Sequence, residues 1–350
     1  MSAAAFDDGR IYLRSYLAPL TGMLARPDVT DIYVNRPGEL WVETSGGAIE
    51  RHEAPRLDEA TLERLARQIA ALSHQGISRE HPLLSATLPD GARVQIVAPP
   101  ATRGPLALAI RKHVSPDLTL DDYVAAGAFA ATRGRDSPER SEVDRALAAR
   151  LKAGDVAGML AAAVRARKNI LVSGGTSTGK TTFLNALLRE IPAEERLILI
   201  EDTPELYVRH ENAVGLLAAR SELGEAQVSA NDLLGASLRM RPDRIILGEL
   251  RGEEAFAFLR AINTGHPGSM TTVHADSAER AIEQIVLLAL QAGTQLGRDD
   301  VRHYVASTVD VFVQLARTGG RRHVAEVVLG GEAGAGFGAP MRLASPLATD

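Results

Sequence analysis

The sequence contains no cysteine in a chain of 350 residues. This absence excludes disulfide bonds and zinc sites built on thiolates, and it is compatible with folding in a reducing compartment. No uninterrupted apolar stretch is long enough to cross a bilayer, and the start MSAAAFDDGR lacks the basic-then-apolar order of a secretory signal. We therefore expect a cytoplasmic protein, with any membrane contact made through partners or a peripheral surface.

A strong excess of charge of either sign is also absent. The chain has 39 basic and 44 acidic residues, which leaves a net charge of -5. It is therefore not a general trap for polyanions, and no cluster of aromatic and basic residues marks a path for DNA, so we expect no sequence-specific nucleic-acid binding. The length, together with a hydrophobic content of 45%, favours two packed domains over one.

The first predicted domain covers residues 1–113 and has α+β character. Two short strand patterns flank a Pro-Gly turn at residues 37–38, which predicts a hairpin. A pattern of leucine and isoleucine at helical spacing follows Asp58, whose side chain is suited to cap a helix. Two further strand patterns lie on either side of Pro99-Pro100, so the helix is expected to cover a sheet.

Residues 114–154 are predicted to form a flexible linker, because charge, glycine, serine and proline are combined there. The second domain, residues 155–330, begins with a helical pattern and then carries four apolar runs: NILVS, RLILI, RIILG and SMTTV. Such runs, separated by segments long enough for helices, are typical of parallel strands buried on both faces. We predict an α/β fold with a terminal antiparallel hairpin and a mobile tail at residues 331–350.

The segment GGTSTGKTT carries the phosphate-binding pattern G-x-x-x-x-G-K-[ST]. It lies between a strand pattern and a helical pattern, so backbone N–H groups and the start of the helix can converge on phosphate oxygens. The motif indicates nucleotide binding, but kinases, GTPases, helicases and transporters share it. The residues predicted to bind ATP here are Gly174, Gly175, Thr176, Ser177, Thr178, Gly179, Lys180, Thr181 and Thr182.

Within this loop, two side chains have predicted roles of their own. Lys180 is expected to reach the β and γ phosphates, and the Thr181 hydroxyl is expected to bind Mg²⁺. The plain alternative is a glycine-containing turn between a strand and a helix with an incidental Lys-Thr pair.

Acidic residues follow two of the predicted strands. Glu201, Asp202 and Glu205 come after RLILI, and Glu249 comes after RIILG. A hydrolytic P-loop enzyme needs acids at the carboxyl ends of neighbouring strands, where they hold the metal and orient or deprotonate water. An isolated acid in such a place is more often part of a solvated loop, but two behind one phosphate-binding loop indicate a site.

Two histidines lie at either end of the fourth apolar run. His274 directly follows it, where an imidazole is able to sense the γ-phosphate, and His266 precedes it. A structural histidine with a satisfied ring is the ordinary alternative for both, and it weighs more for His266.

Four segments, in this order, resemble the boxes of the secretion traffic ATPases, which serve type II secretion, type IV secretion and type IV pili. They are similar to its Walker A loop, acidic box, Walker B segment and histidine box: GGTSTGKTT, IEDTPEL, LRMRPDRIILGELRG and GHPGSMTTVHADSA. The resemblance covers nearly all of the second domain and is greatest to the Vir-type ATPases of type IV secretion. It implies a RecA-like P-loop ATPase domain with a parallel sheet, preceded by a smaller α+β domain, in a ring of six subunits.

The resemblance also implies roles for single residues. Glu249 would be the catalytic acid of Walker B, and Glu205 would be the acid-box residue near metal and water. His274 would sense the phosphate, Lys180 would act on it, and Glu201 is a secondary catalytic candidate.

Members of the family place arginines of the N-terminal domain on the phosphates, and Arg93 and Arg111 occupy similar positions. Their guanidinium groups fit phosphate oxygens, and they would act either on the nucleotide of their own subunit or on that of a neighbour. A surface arginine is the default alternative for each.

The sequence departs from the family pattern at two points. Ser177-Thr178 stand where the family usually has glycine and serine, which reduces the freedom of the loop backbone. Walker B ends in Gly248-Glu249 rather than Asp-Glu, so Mg²⁺ would depend on Thr181 and on the acid box, with Glu205 as its metal ligand.

The function implied by the resemblance is ATP hydrolysis by a homohexamer that energises type IV secretion at the cytoplasmic face of the inner membrane. Its partners would be other secretion ATPases and inner-membrane channel components. A pilus, tight-adherence or type II secretion motor is the alternative, although the lack of cysteine argues against assembly ATPases that carry a four-cysteine zinc module. An ATP-binding switch without turnover is an alternative of another class. The cargo and the direction of transport stay open.

Overall fold

The computed structural model describes residues 11–112, 119–130, 132, 141–219 and 224–330. Within these ranges, no helix is long and apolar enough to cross a membrane. Two sheets organise the described chain, one of six strands and one of seven. The predicted domain limits remain predictions, and the tail at residues 331–350 lies outside the described ranges.

The first sheet is antiparallel throughout. Helix α1 at residues 11–17, a 3-10 turn at Ala18–Leu20 and helix α2 at Thr21–Ala25 precede it. Its strands are β1 Val29–Val34, β2 Gly38–Thr44, β3 Ile49–Ala54, β4 Leu83–Thr87, β5 Arg93–Val97 and β6 Ala107–Arg111. They lie in the order β3-β2-β1-β6-β5-β4.

Helix α3, Glu59–Leu72, packs on this sheet as the sequence predicts. Its leucines at positions 62 and 65 are fully buried, and the Asp58 carboxylate accepts the N–H of Thr61 at 2.7 Å, which caps the helix. The predicted hairpin is confirmed, because β1 and β2 pair antiparallel with Ile32 opposite Val42.

Two helices lie within the segment predicted to be a linker: α4 at Leu120–Ala125 and α5 at Glu142–Lys152. Helix α5 buries Leu147 and Leu151 in the same apolar cluster as the strands of the second sheet. The last part of the segment 114–154 is therefore helical and packed, because two leucines four residues apart share one face of that helix. Residues 114–118, 131 and 133–140 of the predicted linker lie outside the described ranges.

The second sheet consists of strands β7 Ile170–Gly174, β8 Leu197–Glu201, β9 Ala213–Leu217, β10 Arg244–Leu247, β11 Met270–Val273, β12 Val311–Thr318 and β13 Arg321–Leu329. Their order is β13-β12-β7-β11-β10-β8-β9, and every neighbouring pair is parallel except β12 with β13. Its helices are α6 Val156–Arg165, α7 Lys180–Leu188, α8 Ala230–Ser237, α9 Glu254–Asn263, α10 Ala278–Gln291 and α11 Arg298–Thr308.

The four apolar runs of the sequence are the four central strands β7, β11, β10 and β8, which confirms the predicted α/β sheet. All their residues are buried, as strands covered on both faces require. The predicted terminal hairpin is also confirmed, and β12 extends the main sheet by pairing with β7. The edge strand β9 was not predicted, since its run is short and half-buried.

The first part of the chain meets the second sheet along β9. The N–H of Arg103 donates to the carbonyl of Gly215, and the N–H of Leu217 donates to the carbonyl of Ala101, both at 2.9 Å. A short antiparallel bridge thus joins the loop between β5 and β6 to the edge of the second sheet. This contact brings side chains of the first part close to the carboxyl end of β8.

Candidate functional site

A cavity of about 480 Å³ opens at the carboxyl ends of strands β7, β8, β10 and β11. Parallel strands end at the same edge of the sheet, so residues distant in sequence converge here. The lining consists mainly of residues of the phosphate-binding loop and charged side chains: Gly175, Thr176, Ser177, Thr178, Gly179, Lys180, Thr181, Thr182, Glu201, Asp202, Glu205, Glu249, Arg251, His274 and Arg322.

The loop from Gly174 to Gly179 runs from the end of β7 to the start of α7. A side chain at Gly174 would come within 2.4 Å of the Thr178 hydroxyl oxygen, so only glycine fits there. Gly179 has φ +92 and Ser177 has φ +63. The departure from the family pattern at residue 177 therefore places a non-glycine residue in the left-handed region that glycine occupies without strain.

Thr178, the second residue of that departure, is buried beneath the loop. Its hydroxyl donates to the carbonyl of Gly175 at 2.8 Å. The side chain therefore stabilises the turn from inside.

Lys180 stands at the start of helix α7 and points into the cavity. Its Nζ lies 3.2 Å from the carbonyl oxygen of Gly174, 3.3 Å from the ring nitrogens of His274 and 3.4 Å from Oε1 of Glu249. Burial lowers the pKa of Lys180, and the nearby Glu249 carboxylate partly offsets this effect. The lysine is thus a cation held ready at a helix N-terminus, where anions are favoured.

Glu249 follows β10 and is the acid on which the charges of the cavity converge. Besides Lys180, its carboxylate contacts Nε2 of His274 at 2.9 Å and Nε of Arg251 at 2.5 Å. Arg251 also binds Asp202 at 3.1 Å, and its hydrogen bond to Glu249 raises the pKa of Arg251. The structure therefore brings three predicted site residues into direct contact with one another: Lys180, Glu249 and His274.

The two glutamates of the acidic box differ in their surroundings. Oε1 of Glu201 accepts the N–H groups of Glu205 and Leu206, both at 2.9 Å, and the other oxygen forms an ion pair with Arg103. The Glu201 side chain is only 3% exposed, and through these hydrogen bonds it holds the turn that carries Glu205 and Leu206 in place. Glu205 is exposed and lines the cavity, which leaves its carboxylate available to a ligand.

Thr181 and Glu205, the predicted metal ligands, both line the cavity. Among the described residues, no group of three or more histidine, aspartate or glutamate side chains is arranged to hold a metal ion. Mg²⁺ commonly binds nucleotide sites through one or two protein groups together with phosphates and water. One hydroxyl and one free carboxylate at the edge of a phosphate-binding loop fit that requirement.

Arg93 and Arg111 lie next to each other but away from the cavity. They face each other across β5 and β6, and both are exposed. Nε of Arg111 lies 4.0 Å from the Asp31 carboxylate, and neither arginine lines the cavity. Their predicted contact with the phosphates is therefore not made within this single chain.

His266 lies at the opposite edge of the sheet from His274. Its Nδ1 is 3.0 Å from the carbonyl oxygen of Pro242, and burial lowers its pKa. It does not line the cavity, which matches the structural alternative for this residue.

Three arginines at the site were missed by the sequence reasoning. Arg251 stands two residues after Glu249, and this spacing was available as a signal. Arg322 comes from β13, where its Nε donates to the Ser177 carbonyl at 3.0 Å and its side chain lies against Gly179. Arg103 comes from the first part of the chain. No local pattern marks these two residues, because only the fold brings Arg322 to the phosphate-binding loop and Arg103 to Glu201.

Comparison with known proteins agrees with this geometry. The profile of the family described as "Type II/IV secretion system protein" matches residues 15–328. The chain belongs to this family. It is 40% identical over 324 residues to the type IV secretion system protein VirB11 of Bartonella quintana, covering 89% of this chain and 91% of that protein. It is 41% identical over 336 residues to the type IV secretion system protein PtlH of Bordetella pertussis, covering 92% of this chain and 96% of PtlH.

A solved structure extends the family resemblance to the whole fold. The VirB11 ATPase from the Brucella suis type IV secretion system, crystallised in complex with sulphate, superimposes with a TM-score of 0.88 at 38% identity. The match covers 95% of this chain and 98% of that one. The predicted membership and the predicted fold class, a RecA-like P-loop domain behind a smaller α+β domain, are therefore confirmed.

Proposed function

We propose that this chain is an ATPase that binds ATP with Mg²⁺ in the cavity at the phosphate-binding loop and hydrolyses it to energise type IV secretion. The observation that carries the proposal is the direct contact of Lys180 and Glu249, 3.4 Å apart in one cavity, behind a loop of the required form. A nucleotide binder needs only the loop and the lysine. An acid at the lysine is the additional group that hydrolysis requires.

The charges of the cavity suggest how binding prepares the reaction. Phosphate oxygens entering the loop compete with Glu249 for Lys180, because the cation is attracted to whichever anion is closest and least solvated. Once Lys180 moves to the phosphates, the Glu249 carboxylate loses one of its partners and is able to orient a water molecule and accept its proton. His274, which contacts both side chains, is placed to sense the γ-phosphate.

Thr181 and Glu205 are the side chains proposed to hold Mg²⁺, and the ion would neutralise charge on the phosphates. Glu201 serves them indirectly, because it binds the backbone that carries Glu205. The remaining loop residues would contribute backbone N–H groups and glycine flexibility to phosphate binding.

A homohexameric ring is proposed as the working assembly, in contact with other secretion ATPases and with inner-membrane channel components. Arg93 and Arg111 are exposed and lie outside the cavity of their own chain. In a ring they would be available to the nucleotide of a neighbouring subunit, where two guanidinium groups suit phosphate oxygens. Such an assembly would act at the cytoplasmic face of the inner membrane.

The similarity to VirB11 and PtlH favours type IV secretion over a pilus or type II secretion motor, since both relatives carry the type IV secretion name. An ATP-binding switch without turnover is disfavoured by the acid at Lys180. The two classes differ in one measurable quantity, the steady-state release of phosphate.

The experiment compares phosphate release by the wild type with that of Lys180→Ala and Glu249→Gln. We expect each substitution to lower the rate by about 100-fold or more, because each removes a group acting in the transition state. Glu249→Gln should still bind a fluorescent ATP analogue, whereas Lys180→Ala should bind it weakly. Glu253→Gln, at an exposed glutamate nearby, is the matched control and should keep the wild-type rate. Equal rates in all variants would leave only the switch.

The ring is tested separately by light scattering of the wild type with a non-hydrolysable ATP analogue. A mass of six chains is expected. A particle that stays monomeric at saturating nucleotide would contradict the proposed assembly.

A further inference from the structure

Arg103 connects the first part of the chain to the acidic box of the second. It lies in the loop between β5 and β6, and its backbone N–H is bonded to Gly215 on strand β9. The backbone is thereby fixed at the edge of the second sheet. The side chain then crosses β9 toward the end of β8.

The structure provides a path for this side chain. A Cβ atom at Gly215 would lie only 2.4 Å from Cδ of Arg103, so the absence of a side chain there is what lets the arginine pass. Nη1 of Arg103 donates to the carbonyl of Leu206 at 2.8 Å, and the guanidinium forms an ion pair with Glu201. Burial lowers the pKa of Arg103, but arginine keeps its charge at neutral pH.

Glu201 links Arg103 to the acidic box. The oxygen that does not face Arg103 accepts the N–H groups of Glu205 and Leu206. Arg103 therefore holds the acid-box turn, residues 202–206, in two ways. It donates directly to the Leu206 carbonyl, and it pairs with the Glu201 carboxylate, which accepts the N–H groups of the turn. Glu205, which lines the cavity, lies between these two points of attachment.

We propose that Arg103 is a positioning residue that keeps the acid-box turn, and with it Glu205, in place for hydrolysis. The inference rests on the proposed ATPase function. A carboxylate as buried as Glu201 stays charged only with a partner. Without the guanidinium the Glu201 carboxylate would be buried without its charged partner and would turn toward water, and its hydrogen bonds to the N–H groups of the turn would weaken.

A merely structural clamp between the two parts of the chain is the competing explanation. The chain offers a matched control for it in Arg79, which binds Glu225 across the same two parts, at 2.7 Å from Nη2. Both of those side chains are about half exposed or more, and neither contacts the acidic box. Arg79→Gln thus removes an ion pair between the parts and leaves the turn untouched.

The first measurement is amide hydrogen exchange of the peptide that contains residues 202–206, in the full-length protein without nucleotide. In Arg103→Gln we expect this peptide to exchange about tenfold faster, because the hydrogen bonds of the turn lose their anchor. Arg79→Gln should exchange at the wild-type rate. Unchanged exchange in Arg103→Gln would overturn the proposal, and this readout does not depend on hydrolysis.

The second measurement separates kcat from ATP binding. Arg103→Gln is expected to lower kcat about tenfold or more, with the Kd of a fluorescent ATP analogue changed less than about threefold, because the acid is displaced while the loop is intact. Adding Glu201→Gln to it should lower kcat little further, since both act through one turn. A structural clamp alone would leave kcat at the wild-type value.

Arg103→Lys decides the question if Arg103→Gln does not fold. Lysine keeps a charge beside Glu201 but lacks the planar fork that binds two acceptors at once, so we expect faster exchange of the turn and an intermediate kcat. Wild-type exchange and wild-type kcat in Arg103→Lys would then overturn the proposal. A wild type that releases no phosphate contradicts the proposed function instead, and the exchange result still tests the position of the turn.

Discussion

The parallel strands of the seven-stranded sheet begin at one edge, the amino edge, and end at the other, the carboxyl edge. Both edges carry arginine and glutamate, but these side chains are buried at the amino edge and partly exposed at the carboxyl edge. At the amino edge, Arg244 is fully buried, and its Nε and Nη2 bind the two oxygens of Glu195 at 2.6 and 2.8 Å. Arg196, also buried, donates to the Met240 carbonyl and stacks on the Tyr33 ring at 4.0 Å. Burial lowers the pKa of Arg196 to about 10, which still leaves it charged at neutral pH.

At the carboxyl edge, several side chains share one acid. Lys180, Arg251 and His274 all contact Glu249, and the Arg251 and His274 side chains are at least half exposed. The arginines of the amino edge are therefore buried and held by fixed contacts, whereas the carboxyl edge has partly exposed side chains that an incoming anion is able to reach. A charge pair thus stabilises the fold where water is excluded, and it prepares a site where water and ligand enter.

The largest effect expected from this contrast is on stability at the amino edge. Arg244→Met should lower the free energy of unfolding by about 3–5 kcal/mol, because it leaves Glu195 buried without its main partner. Arg251→Met, at the carboxyl edge, should change it by less than about 1 kcal/mol, because that arginine is mostly exposed. Urea denaturation of both variants measures the two values. Equal losses would remove the distinction between the edges.

The next effect concerns activity, and the two histidines at the ends of strand β11 offer a matched pair. His274→Ala should lower ATP turnover roughly ten- to hundredfold, because it removes a hydrogen bond to a charged group in the cavity. His266→Gln should keep turnover near the wild-type rate, since glutamine is able to donate to the Pro242 carbonyl in its place. Steady-state phosphate release checks both. A larger loss in His266→Gln than in His274→Ala would reverse the assignment.

A smaller effect is expected in the pH dependence of stability. Burial lowers the pKa of His266 below its ordinary value of 6.5, so the unfolded chain takes up a proton at higher pH than the folded chain. The contribution of the neutral ring is therefore present above about pH 6.5 and is lost as the pH falls through the lowered pKa. Between pH 7.5 and 5.5, His266→Gln should lose less of its urea midpoint than the wild type. The same loss in both proteins would contradict this.

The smallest effect concerns the backbone of the phosphate-binding loop. Ser177→Gly should raise the free energy of unfolding by about 0.5 kcal/mol. The free energy gained by relieving the left-handed strain at residue 177 slightly exceeds the cost of the larger conformational entropy that glycine gives the unfolded chain. Thr176→Gly is the control with an ordinary negative φ, and it should lower stability by about 0.5–1 kcal/mol. Thermal unfolding with a calorimeter measures both. A loss in Ser177→Gly would show that the serine side chain matters more than the strain.

Much of the carboxyl edge followed from local patterns in the sequence. The loop, the four central strands and the acids after two of them were predicted, since a parallel sheet places all strand ends on one edge. The amino edge was not predicted. Arg196 and Arg244 stand at the starts of apolar strands. A charged residue in such a place predicts the solvent-exposed end of a strand, whereas both of these arginines are buried.

Short-range patterns were enough to predict the α/β fold, the phosphate-binding loop and the acids Glu205 and Glu249, because each prediction depends on residue types at fixed short spacing. The packing of the folded chain decided which acid holds the acid-box turn and which faces the cavity, since Glu201 and Glu205 are distinguished by burial and hydrogen bonds alone. It also decided that Arg103 and Arg322 reach the site while Arg93 and Arg111 do not. Contacts between distant segments depend on how whole strands pack, and no short pattern encodes them.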